Sequence, residues 1–142
     1  MRVRAVLAVA VLGVLAAACG GGGGGGGERG GGGGGTITLS DGSLATDRGT
    51  ATVSGGTATV EAGDFFFSPT VLTGPAGQEV TLTVSNVGQA LHNFSLPDQG
   101  VDVDIQAGQQ TTVTVTFPSS GAVTFECKYH LAQNMRGELR SG

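Results

Sequence analysis

A thiol, an imidazole and a thioether stand within nine residues in Cys127-Lys128-Tyr129-His130-Leu131-Ala132-Gln133-Asn134-Met135. The spacing is C-x2-H-x4-M. All three are soft or borderline metal ligands, and thiolate with thioether selects copper over harder ions. A second imidazole lies upstream in Leu91-His92-Asn93-Phe94. His92, Cys127, His130 and Met135 therefore make a two-His, one-Cys, one-Met set. That is the donor list of a site built for one-electron copper chemistry.

The census supports treating these residues as a group. The chain has two His, two Cys and two Met. Met1 is the initiator, and Cys19 has a separate use described below. Every remaining soft side chain falls in the set. Singly, each has a plainer reading: Cys127 as a small core hydrophobe, His92 as a hydrogen-bonded core histidine, Met135 as loop packing. Their joint spacing favours ligation.

The elements that must position them read as strands. Candidate strands run over Thr57–Glu61, Phe65–Phe67, Thr70–Thr73, Glu79–Asn86, Leu91–Leu96, Gln110–Phe117, Ala122–Cys127 and Gly137–Ser141. Pro75-Ala-Gly77, Val87-Gly88-Gln89 and Pro118-Ser-Ser-Gly121 mark turns between them. No segment carries a helical period. Short alternating strands at this spacing predict an antiparallel sandwich or barrel of about eight strands. Residues two apart on a strand share a face. Val123, Phe125 and Cys127 should then point inward together, as should His92, Phe94 and Leu96. His130 and Met135 follow Cys127 in a loop that can fold back over the same pole.

The N-terminal third has a different character. Met-Arg-Val-Arg followed by an unbroken apolar run to Ala18 reads as a secretory leader, residues 1–18. The run is shorter than the ~20 residues a membrane-spanning helix needs. Leu15-Ala16-Ala17-Ala18-Cys19-Gly20 resembles a bacterial lipobox, which would make Cys19 a lipidated N-terminus and anchor the chain to a membrane outside the cytoplasm. The other reading is ordinary secretion with Cys19 incidental. Two glycine runs, Gly20–Gly27 and Gly30–Gly35, hold half of the chain's 28 glycines. They predict a disordered tether with an r.m.s. reach of roughly 20–25 Å. Residues 36–55 are Thr-, Ser-, Gly- and Ala-rich, and are assigned with the tether, with room for one strand-like piece, giving a linker over 19–55 and a domain over 56–142.

Net charge is −4, and loss of Arg2 and Arg4 with the leader leaves five basic against eleven acidic side chains. A surface this acidic argues against nucleic acid as a partner, because phosphate binding needs clustered Lys and Arg. Ser/His/Asp chemistry has no support, since both histidines are already assigned. No second His cluster is present to build a catalytic copper centre, so an enzyme is not expected.

From about residue 57 onward the chain resembles the cupredoxin family, in its small plastocyanin and pseudoazurin branch. The C-x2-H-x4-M spacing and His92 followed by Asn93 carry the likeness. The resemblance implies a Greek-key β-sandwich holding one copper ion. It implies His92, Cys127 and His130 as equatorial ligands, Met135 as a long axial ligand, and Asn93 tying the two ligand segments together near the sulfur. It implies electron transfer with redox partner proteins, with copper delivery or sensing as the alternative. Two departures stand out: Tyr129 replaces the Pro that many members carry before the second His, and Glu126 replaces the Tyr that plant plastocyanins carry before the Cys.

Overall fold

The computed structural model describes residues 34–142; the leader and most of the glycine tract, Cys19 included, lie outside the described residues. Twelve strands occur in the order β1 (Thr36–Thr38), β2 (Leu44–Thr46), β3 (Thr50–Thr52), β4 (Thr57–Gly63), β5 (Phe66–Ser68), β6 (Val71–Gly74), β7 (Glu79–Asn86), β8 (His92–Leu96), β9 (Val101–Ile105), β10 (Gln110–Thr116), β11 (Ala122–Glu126) and β12 (Arg136–Ser141). Two single-turn 3-10 helices, Pro97–Gln99 and Leu131–Gln133, are the described helical elements.

Alternation decides which face each strand buries. In β7, Val80, Leu82 and Val84 are buried and the residues between them are partly exposed. In β10, Val113 and Val115 are buried and pair in register with Leu82 and Val80. A four-stranded sheet forms in the order β10-β7-β4-β5, and a six-stranded sheet in the order β3-β6-β12-β11-β8-β9. Their inner faces close over one core that includes Val60, Leu82, Val84, Phe94, Phe125 and Leu139, and Cys127 and Met135 belong to it. Phe94 stacks on Phe125 at a centroid distance of 5.0 Å, and Phe67 meets both rings edge-on. This aromatic trio packs between the sheets in the same core as Cys127 and Met135.

Three features differ from the sequence reading. The sheets are mixed, because β4 runs parallel to β7 and β6 runs parallel to both β3 and β12. The strand count exceeds eight because β1, β2, β3 and β9 were not anticipated.

The largest correction concerns residues 36–55, which are not a linker. β1 and β2 form a hairpin, and β3 adds to the edge of the six-stranded sheet beside β6. Leu39, Ala45 and Val53 are buried. The segment is fixed by groups far away in the chain. Ser40 N–H donates to Glu138 Oε2 at 2.9 Å, across 98 positions. Arg48 N–H donates to Thr70 Oγ1 at 2.7 Å, and that hydroxyl lies 2.9 Å from Thr46 O. Thr46 N–H donates to Asn134 O at 3.0 Å, so the hairpin also braces the loop that carries the C-terminal candidate ligands. Residues 36–55 therefore belong to the folded unit.

Candidate metal centre

β8 and β11 bring the candidate residues to one end of the sandwich. His92 opens β8 and is fully buried with Phe94 and Leu96, as period-two geometry requires. Cys127 follows directly after β11 and is buried with Phe125. Its N–H donates to Met135 O at 3.0 Å, its carbonyl accepts from His130 N–H at 3.0 Å, and Met135 N–H donates to His130 O at 3.3 Å. The loop from 127 to 135 is thus closed on itself. Asn134 ends its 3-10 turn with φ of 58°, a left-handed conformation that Asn tolerates, and so redirects the chain into β12.

The donor atoms converge. One ligand atom each from His92, Cys127 and His130 lies within 4.8 Å of the others. Cys127 Sγ is 3.4 Å from His130 Nδ1. The two imidazoles meet edge-to-face at a centroid distance of 5.1 Å. Met135 is fully buried and tied through its backbone to both Cys127 and His130. Cys127 is not in a disulfide.

One observation tests whether this group is arranged for a metal. His92 Nδ1 is buried without a hydrogen-bond partner, while His92 Nε2 lies 2.8 Å from Asp64 Oδ1. Leaving a buried polar atom unpaired costs about 1–3 kcal/mol. A buried, unpartnered imidazole nitrogen, with the opposite ring nitrogen bound to a carboxylate, is the usual arrangement of a metal-ligating histidine.

The surroundings explain the remaining electrostatics. Burial holds His130 below the ordinary imidazole range, and the neighbouring His92 adds to that. The Gln89 amide, then the Ala90 amide and His92, hold the Asp64 carboxyl below its usual value. Asn93 is buried behind the site: Nδ2 donates to Asp102 and Asp104 at 2.7 and 2.8 Å, and Oδ1 accepts from Ser95 Oγ at 2.8 Å. Oδ1 also accepts a long bond of 3.4 Å from Lys128 N–H, which links β8 to the residue after Cys127. Lys128 Nζ and the Tyr129 hydroxyl close the same cluster on Asp102 and Asp104.

The comparisons with known proteins agree with this fold. A family model described as a cupredoxin-like domain matches residues 37–139. The chain belongs to the cupredoxin-like family. The match begins within β1, which places the N-terminal hairpin inside the cupredoxin domain. No curated protein matches the sequence. Reduced auracyanin from Roseiflexus castenholzii is similar in structure, with TM-score 0.53, 19% identity, and coverage of 63% of this chain and 99% of that one. The metal-binding domain of the Cu(I)-exporting P-type ATPase CopA from Streptococcus pneumoniae D39 is similar with TM-score 0.55 and 13% identity, covering 66% and 94%. Auracyanin A, a blue copper protein from Chloroflexus aurantiacus, gives TM-score 0.50 and 20% identity, covering 65% and 100%. At such identities these likenesses concern the cupredoxin fold.

Some residues around the site were not anticipated. Asp64 and Phe65 come from the β4–β5 turn, and Phe65 lies over His130 at a centroid distance of 4.5 Å and edge-on to His92 at 6.1 Å. Nothing in Gly63-Asp64-Phe65 marks that proximity. Asp102 and Asp104 had a visible signal, because Val101-Asp-Val-Asp-Ile105 alternates as an edge strand does.

Proposed function

We propose that this protein is a type 1 copper electron-transfer protein working outside the cytoplasm, held at a membrane by lipid on Cys19. The carrying observation is the convergence of His92, Cys127 and His130 with the buried, unpartnered Nδ1 of His92. His92, Cys127 and His130 would hold the ion, and the buried Met135 would offer its thioether as a fourth, weaker donor. Bound copper would supply a one-electron Cu(I)/Cu(II) couple.

The chain's own contribution is rigidity, dryness and access. The closed 127–135 loop and the aromatic trio keep one donor arrangement. Phe65 covers part of both imidazoles, and His92 is fully buried. His130 is the imidazole that remains half-buried, next to Leu131 and exposed Ala132. With Phe65 they form an apolar surface at which a redox partner can dock briefly. The donor set leaves no position reserved for a substrate, which supports a carrier rather than an enzyme.

The test is the visible spectrum of the full chain after addition of Cu(II). An intense thiolate-to-copper band that Cys127→Ser abolishes is the expected result. A pale complex that readily surrenders Cu(I) to an acceptor would overturn the proposal in favour of copper delivery.

A further inference from the structure

Asp64 is the carboxylate that bonds directly to a candidate ligand, and three donors hold it. Its Oδ2 accepts from Gln89 N–H at 2.8 Å, and its Oδ1 accepts from Ala90 N–H at 3.2 Å and from the His92 ring at 2.8 Å. Gly88 packs against this pair. A Cβ there would lie 2.8 Å from His92 Nε2 and would collide with the Asp64 carboxylate. The β4–β5 turn and the β7–β8 turn thus build a fitted seat for one carboxylate against one imidazole edge.

A carboxylate only accepts, and a neutral imidazole has one donor and one acceptor nitrogen. Bonding Nε2 to Asp64 therefore puts the proton on Nε2 and the free lone pair on Nδ1. Nδ1 is the nitrogen left buried and unpartnered.

We infer that Asp64 is a positioning residue of the metal centre: its carboxylate fixes the His92 tautomer and ring orientation and makes the site favour Cu(II) over Cu(I). The inference rests on the copper reading above. The sign follows from charge. An anion behind the imidazole strengthens electron donation from Nδ1, and the more positive oxidation state gains more from it. The native potential is then lower than it would be with a neutral partner.

The test compares the full native chain with Asp64→Asn and Asp64→Ala, with circular dichroism confirming the fold. Asn retains an acceptor and removes the charge, whereas Ala removes both. In the metal-free protein, nitrogen-15 NMR of the His92 ring reports the tautomer. We expect Nε2–H in the native chain and in Asp64→Asn, and a mixture in Asp64→Ala. In chelator competition, Asp64→Ala should lose about 10- to 100-fold in Cu(II) affinity, with a smaller loss in Asp64→Asn. Each tenfold loss confined to Cu(II) raises the potential by about 59 mV. An Nδ1–H tautomer in the native protein, or unchanged affinity and potential in both variants, would overturn the inference. If the native chain binds no copper, the proposed function fails, while the tautomer still decides the role of Asp64.

Discussion

Glu138 offers the sharpest test of how the N-terminal hairpin supports the site. Its side chain is fully buried on β12, and its two oxygens serve different partners. Oε2 accepts from Ser40 N–H at 2.9 Å, and Oε1 pairs with Arg140, which is itself 47% exposed. Replacing Glu138 by Gln keeps the volume and one acceptor oxygen. That oxygen can retain Ser40, and Arg140 can turn to water, so the expected loss is about 1 kcal/mol. Replacing it by Ala strands the Ser40 amide and opens a cavity, for about 3 kcal/mol. The effect should begin locally. β1 and β2 should open below the global unfolding free energy, and the Thr46–Asn134 bond should open with them. Urea midpoints give the total, and native-state hydrogen exchange at Leu39, Ser40 and Thr46 gives the local part. Copper should then leave the Ala variant faster, because Asn134 immediately precedes Met135. Losses that are equal and small in both variants, or unchanged protection at Ser40, would refute the bracing role.

Other outcomes follow from the same geometry. His130→Ala should still bind copper, more weakly, and exchange electrons with an external partner more slowly; a native rate in a stopped-flow assay would count against the His130 surface. Gly88→Ala should push Asp64 off His92 and approach the copper affinity of Asp64→Ala, measured by the same chelator competition. Phe125→Ala should cost about 3–5 kcal/mol in urea unfolding, because its ring is fully buried between Phe67 and Phe94. Acid should destabilise the fold through Asp41, Asp64, Asp102 and Asp104, all held below the ordinary carboxylate value of 3.8. Their unfolded forms bind protons at higher pH than the folded forms. The stability they contribute is therefore complete above that value and is lost as pH falls through their lower folded values. Asp102→Asn should flatten the decline of the urea midpoint as pH falls below 3.8.

The donor set, its spacing and the inward direction of His92 and Cys127 were all legible from residue type and period-two alternation. These are local properties: Cys127, His130 and Met135 lie within one loop, and a strand's side chains alternate whatever it pairs with. Eight of the twelve strands were legible for the same reason. The hairpin over 36–46 and the short β3 were not, because their partners Glu138, Thr70 and Asn134 are distant in the chain and their own apolar content is sparse. Asp64 and Phe65 show the same limit at the site itself. A carboxylate and a phenyl ring in a turn have no signature of the imidazoles they touch, since only the packing of the β4–β5 turn against the start of β8 and the 127–135 loop brings them there. Local chemistry thus named the candidate ligands, while long-range pairing chose the groups that orient and brace them.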